Sequence, residues 1–130
     1  MLAATVPNIL VTHPSLPVQD VKQLVALART KPRQVLYGSA GFGTVTHLAM
    51  ELLMSSTRSE LTHVPYKGGV PSIVGLLSGE VHVLFSSVPG VLTQINARKV
   101  RAIGMSTLKR SSALPNVPTI HEALLPGYNT

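Results

Sequence analysis

The chain has 130 residues, 45% of them apolar and only 12% charged, with 11 Lys and Arg against 5 Asp and Glu and no cysteine. Such a length makes one domain with room for a proper core, and the missing cysteines exclude disulfides, thiolate metal sites and cysteine nucleophiles while leaving the redox compartment open. The net charge of +6 raises nucleic acid as a partner, but the basic residues are scattered and the chain is only 4% aromatic, so there is little to stack bases on and small anions fit the charge better.

A charged fraction about half the usual ~25% implies that part of the surface is covered by another domain or subunit. No run reaches the ~18 apolar residues needed to cross a bilayer. The first residues, Met1-Leu2-Ala3-Ala4-Thr5-Val6-Pro7, lack the basic head and long apolar core of a signal peptide, so the expectation is a soluble chain with no export address.

In chain order, residues 9–12 read as an apolar strand ended by Pro14. Residues 17–30 read as an amphipathic helix with Val18, Val21, Leu24, Val25 and Ala28 on one face, Ser15 as its candidate cap and Pro17 in its first turn. After Lys31-Pro32-Arg33, residues 35–37 form a buried strand, and residues 38–43 a loop containing Gly38, Gly41 and Gly43. A second helix, about 44–56, starts at Thr44 as N-cap and turns Leu48, Leu52 and Leu53 inward.

A strand at 61–65 leads into Tyr66-Lys67-Gly68-Gly69, and Pro71 suits the first turn of a helix at 70–78 closed by Gly79. A buried strand at 81–85 precedes Ser86-Ser87-Val88-Pro89-Gly90 and a helix at about 89–97, and residues 100–106 form the last convincing strand. The remaining tail is extended, with one short helix starting near Thr119. Strict strand–helix alternation predicts a three-layer α/β domain on a mainly parallel sheet of about five strands. Ligands in such sheets sit beyond the carboxyl ends of the strands. Three of those ends carry the glycine loop, Tyr66 to Gly69, and Ser86 to Gly90.

The glycine loop, followed by a helix start, points free N–H groups and a helix dipole at one spot, as an anion site requires. It lacks the Lys-Ser/Thr pair of a Walker loop and the third glycine of a dinucleotide fingerprint. A tight turn that needs glycine only for its backbone angles is the plain alternative. Neither Ser39 nor Ser86 lies in a Gly-x-Ser-x-Gly elbow, and His13, His47, His63, His82 and His121 show no metal-ligand spacing. His47 and Glu51, four apart on one helix, read as a surface pair, and His63 and His82 as satisfied strand histidines. Phe42 at the loop tip is either packing or the wall of a ligand pocket or interface. Lys67 near a helix N-terminus either strengthens an anion site or is simply solvated.

The motifs Tyr37-Gly38-Ser39-Ala40-Gly41-Phe42-Gly43-Thr44, His47-Leu48-Ala49, His63-Val64-Pro65-Tyr66-Lys67-Gly68, Leu76-Leu77-Ser78-Gly79-Glu80-Val81 and Arg110-Ser111-Ser112-Ala113-Leu114-Pro115-Asn116-Val117-Pro118-Thr119 occur in the order in which they occur in the TctC or Bug receptors. The chain resembles these substrate-binding proteins of tripartite tricarboxylate transporters over nearly its whole length. The resemblance implies a type-II periplasmic-binding-protein lobe: residues 1–130 as a single domain equivalent to the second of two lobes, with the interlobe crossings near residues 6–12 and 100–107. On that expectation the first lobe and the signal peptide of such a receptor are not part of residues 1–130. The implied activity is binding of a small organic carboxylate without catalysis, cofactor, metal or nucleic acid. The membrane transporter subunits are the partners of a full-length receptor.

Periplasmic location follows from the resemblance; a chain complete as it stands, without a signal peptide, would be cytoplasmic. Gly38, Ser39, Ala40, Gly41, Gly43 and Thr44 would donate N–H and hydroxyl groups to a carboxylate, and Phe42, Thr46, Tyr66, Lys67 and Ser86 complete the candidate set. The family usually has Asn at Phe42, Ser-Gln at Val45-Thr46 and Asp at Ser86, so this site is less polar and loses a carboxylate that could hold an ammonium group. Two expectations result: a carboxylate-binding lobe whose exposed interlobe face pairs with a second copy as a two-fold dimer, or a truncated lobe that has lost ligand binding and serves as a structural or self-associating module.

Overall fold

A computed structural model gives the fold and describes residues 8–106 and 117–120. The elements follow in the order β1 (Asn8–Thr12), α1 (Val21–Thr30), β2 (Leu36–Ser39), α2 (Val45–Thr57), β3 (Thr62–Pro65), α3 (Gly69–Ser78), β4 (Val83–Ser87), α4 (Val88–Asn96) and β5 (Arg101–Met105). They build one five-stranded sheet in the order β3-β2-β4-β1-β5. β2 pairs in parallel with both β3 and β4, whereas β1 is antiparallel to both β4 and β5. Four strands therefore run one way, as a mainly parallel sheet requires, and β1 is inserted against them.

Helices cover both faces. On one side α1 and α2 pack Val21, Leu24, Val25, Ala28, Ala49, Met50 and Leu53 onto Leu10, Tyr37, Val83 and Phe85. On the other, α3 and α4 bring Ile73, Leu76, Val88 and Val91 onto Ile9, Val11 and Leu84. Alternate residues of β1 and β4 thus serve opposite cores, the period-2 rule for a strand buried on both faces. Among the described residues no helix is long and apolar enough to cross a membrane.

Local details depart from expectation in two places. Ser15 does not cap α1; it bonds to the His13 ring in the turn after β1, and residues 17–20 stay outside the helix. Asp20 caps instead, its Oδ1 accepting Gln23 N–H at 2.8 Å, while Gln23 Oε1 accepts Gln19 N–H at 2.7 Å in a reciprocal pair. Along α2 only Leu53 of the three expected leucines is buried. Leu48 and Leu52 face outward, because Ala49, Met50, Leu53 and Thr57 form the packed stripe. The tail helix expected near Thr119 lies outside the described residues beyond Ile120; Thr119 itself bridges in parallel to Met105.

Tyr66 locks the α3 side of the sheet. Its ring lies over Gly38 of β2 and Gly75 of α3, and its hydroxyl donates to Glu80 Oε1 at 2.8 Å. Burial, and then that bond, push the phenol up to about 12. A methyl group at Gly75 would collide with the Tyr66 hydroxyl and ring. Gly75→Ala is therefore expected to cost about 1–3 kcal/mol by overpacking. Asp20→Ala should cost about 1 kcal/mol through the lost cap. Urea unfolding at neutral pH measures both.

Candidate functional site

Parallel pairing of β3, β2 and β4 places their carboxyl ends, and the three loops that follow, on one edge of the sheet. The loops are joined there: Tyr66 N–H donates to Ser39 O and Gly68 N–H to Ala40 O, each at 3.0 Å. Because β1 is antiparallel, its first residue, Asn8, pairs with Ser87 and comes to the same edge. Between these parts lies a cleft of about 330 Å³, lined by Asn8, Val45, Thr46, Gly69, Val70, Ser72, Ile73, Phe85, Ser86, Ser87 and Gly90. Apart from Asn8, these are residues at the starts of α2, α3 and α4 and at the end of β4.

The first N–H groups of a helix have no intrahelical acceptor. None of the three helices supplies a side-chain cap: Thr44, Gly68 and Ser87 occupy the N-cap positions without bonding the first turn. Thr44 Oγ1 donates instead to Gly41 O at 2.7 Å. By contrast, α1, which contributes nothing to the cleft, is capped by a carboxylate. Three uncapped, dipole-positive ends around an apolar hollow with hydroxyl groups attract an anion.

The glycine loop is built differently from expectation. Ala40 N–H donates to Thr46 Oγ1 at 3.0 Å, Gly41 N–H to Ser39 Oγ at 3.1 Å and Gly43 N–H to His47 Nδ1 at 3.0 Å. The donors expected for a ligand at Ala40, Gly41 and Gly43 are thus engaged by side chains of β2 and of the first turn of α2. Gly41 and Gly43 have φ of 137° and 79°, so the turn needs glycine for its shape.

Of the candidate residues, Thr46 and Ser86 line the cleft. Gly38 lies beneath the Tyr66 ring, and Ser39 is buried with its Oγ 2.6 Å from His63 Nε2. Phe42 is 76% exposed and sets its ring edge against His63 and His47 on the α2 side. Tyr66 turns into the α3 core, and Lys67 is exposed outside the cleft lining. Asn8, Val45, Gly69, Val70, Ser72, Ile73, Phe85, Ser87 and Gly90 line it without belonging to the candidate set, although Gly69, Ser87 and Gly90 stand in the strand-end loops expected at this edge. Reading the first helical turn after each loop, rather than the loop itself, would have found Val45, Gly69, Val70, Ser72 and Gly90 but not Asn8, Ile73, Phe85 or Ser87.

Beside the loop, Tyr37, His63 and His47 stack, and Tyr37 Oη donates to Glu51 Oε2 at 2.7 Å. Burial, and then the carboxylate, hold the Tyr37 phenol far above its ordinary range. His63 is held below 6.5 by burial first and His47 second, with Glu51 pulling the other way. His47 and Glu51 are a loose pair at 3.8 Å. His82 is satisfied structurally: its Nδ1 accepts Leu36 N–H at 2.9 Å. No group of three or more His, Cys, Asp or Glu side chains suited to a metal occurs among the described residues.

A hollow of about 400 Å³ at the opposite edge, around Arg29, Arg58 and Glu60, gathers helix C-termini. There Arg29 Nε donates to Thr57 O at 2.9 Å, and the helix ends turn carbonyl oxygens, not N–H groups, toward the hollow. It is the poorer place for an anion.

Comparison with known proteins agrees with this architecture. The profile of the tripartite tricarboxylate transporter family receptor, TctC, matches residues 1–129. A protein of the tcbD-tcbE intergenic region of Pseudomonas sp. (strain P51) is 43% identical over 98% of this chain, and BugT of Bordetella pertussis 32% identical over 98%. The chain spans 38% and 39% of the length of these relatives. An R. palustris protein solved with adipate superposes with a TM-score of 0.93 at 40% identity, covering 96% of this chain and 42% of that one. MatC from Rhodopseudomonas palustris with bound malate gives 0.90 at 26% identity, with the same coverage. The chain belongs to the tripartite tricarboxylate transporter receptor family.

Proposed function

We propose that this chain is a solute-binding lobe that takes one carboxylate end of a small organic acid into the cleft at the first turns of α2, α3 and α4. The observation that carries the reading is the convergence of three helix N-termini without side-chain caps on one cleft. Thr46, Ser86 and Ser87 add hydroxyl groups, and Val45, Val70, Ile73 and Phe85 exclude water from the ligand's carbon skeleton. Two relatives hold adipate and malate, which supports a dicarboxylate. No step of chemistry on the ligand is part of the proposal. Residues 1–130 correspond to the second lobe, with β1 and β5 as the crossing strands. A first lobe closes over the ligand, and the assembled receptor delivers it in the periplasm to membrane subunits of a tripartite tricarboxylate-type transporter.

A lone lobe covers one side of a ligand, so its Kd should be on the order of 1 mM. At ten times that concentration, adipate or malate should stabilise the chain by about 1.4 kcal/mol, a Tm rise of roughly 5 °C, against sodium chloride of equal ionic strength. Val70 lines the cleft and is 74% exposed. Val70→Asp puts a like charge there at little cost to the fold and should abolish the rise. A wild-type chain that responds to neither acid overturns the reading.

A second reading has its own observation. Val45, Leu48 and Leu52, spaced i, i+3 and i+7 on α2, are exposed together with Phe42, Val70 and Val74. An apolar stripe of this kind supports a self-associating module, paired as a two-fold dimer, as the use of this lobe in isolation. Sedimentation equilibrium at 1–100 μM (about the range in which weak dimers form) should then show a dimer that Leu48→Glu dissociates. A monomer across the range excludes it.

A further inference from the structure

We infer that Asn8, the first residue of β1, sets the selectivity of the cleft. Its carboxamide accepts a hydrogen bond from a hydroxyl group on the carbon next to the bound carboxylate, so the lobe prefers 2-hydroxy acids. The inference rests on the carboxylate reading and deepens it by naming the class of acid.

Strand pairing fixes Asn8 from both sides. Its N–H donates to Ser106 Oγ at 3.1 Å and its C=O accepts Ser106 N–H at 2.9 Å, while across β4 it pairs with Ser87. Side chains along β1 alternate: Ile9 and Val11 enter the core under α3 and α4, and Leu10 the core under α1 and α2. Asn8 therefore takes the side of Leu10, toward the start of α2, and lines the cleft together with Val45, Thr46 and Phe85.

Asn8 is only 5% exposed, yet among the described residues no hydrogen bond reaches its carboxamide; its backbone alone is bonded. The one fully sealed polar side-chain atom without a partner among those residues is Thr12 Oγ1. The Asn8 amide is thus not sealed, and the surface it keeps opens onto the cleft. The other buried polar side chains of the lining are already committed. Ser72 Oγ donates to Gly69 O at 2.6 Å and Ser86 Oγ to Ser87 O at 3.1 Å. Asn8 differs from both in keeping a donor and an acceptor free. A buried amide without a partner destabilises a fold, and leucine would fill nearly the same space without that cost. The amide therefore answers to something that enters the cleft.

A carboxylate accepts hydrogen bonds and never donates them. Its oxygens suit the N–H groups at the three helix starts, and Asn8 Nδ2 adds to those donors, but nothing in a carboxylate serves Asn8 Oδ1. An ammonium group would serve it, yet the lining holds no Asp or Glu, and three dipole-positive helix ends repel a cation. A hydroxyl group on the neighbouring carbon carries no charge and brings the missing donor within reach. Because Asn8 stands on a strand paired on both sides rather than on a loop, its place is set before a ligand arrives.

Malate and succinate are the probes, equal in charge and carbon number and different by one hydroxyl group. NMR titration of the whole chain should give malate the lower Kd by about fivefold, which is what one net hydrogen bond supplies. Asn8→Leu should weaken both acids and bring them to the same Kd. Without ligand, that variant should melt at the wild-type temperature or above it, because an unpartnered amide has been removed; an amide used by the chain itself would make it melt lower. Asn8→Ala, which cannot overpack, repeats the comparison if leucine disturbs the fold. A wild-type chain that binds both acids with one Kd, or variants that keep the malate preference, overturns the inference and leaves the carboxylate reading intact. A chain that binds neither acid overturns both.

Discussion

The parallel pairing of β2 with a neighbour on each side is the constraint on which the rest of this molecule depends. It fixes three strand ends at one edge, and every helix that follows must begin there and run back along the sheet. The cleft is the geometric result of that return. A side-chain cap contributes about 1 kcal/mol to a helix, so leaving α2 and α4 without one forgoes about 2 kcal/mol, and the glycine at the start of α3 has no side chain to offer. Two of the three N-cap residues, Thr44 and Ser87, are of types that cap readily and do not. The N–H groups so exposed remain available to water or to an anion, and α1, away from the cleft, takes its cap in the ordinary way.

Much of this fold was legible in the sequence, since alternation of short apolar runs with helical periods leaves few architectures. What stayed hidden depended on which of two equivalent local choices the tertiary structure made. Ser15 and Asp20 both precede the apolar stripe of α1, and the chain uses the second because the residues after β1 are held in a turn by the His13 ring. On α2, leucines occupy both sides of the helix, so periodicity cannot say which side packs. Ala49 and Met50 decide it, being the residues that let α2 lie close against β2 and β4. The direction of β1 has no local signature. Its five buried residues read the same in either sense, and only the register of Asn8 with Ser87 reveals it.

The site was legible as a place and much less as a set of residues. Glycine-rich strand ends identify the edge, but they drew attention to the loops, whereas the cleft is lined by the helical turns just beyond them. Asn8 arrives through an antiparallel insertion that no spacing rule anticipates. Tyr66, which stands in a loop motif that reads as ligand-facing, spends its ring on Gly38 and Gly75 and its hydroxyl on Glu80. It ties the second junction to β2 and to α3.

The glycine loop then has a purpose other than donation. Its amides at Ala40, Gly41 and Gly43 are satisfied by Thr46, Ser39 and His47, two of which stand in the first turn of α2. A donor used internally gives nothing to a ligand directly, yet each of these bonds fixes where the next N–H groups point. Ordering a loop at the moment of binding costs about 0.5–1.5 kcal/mol for each side chain immobilised, and a loop ordered beforehand avoids that cost. The same bonds tie α2's first turn to two stacked imidazoles. The first turn of α2, which lines the cleft, is therefore held to the loop by three side chains of which only Thr46 lines the cleft itself.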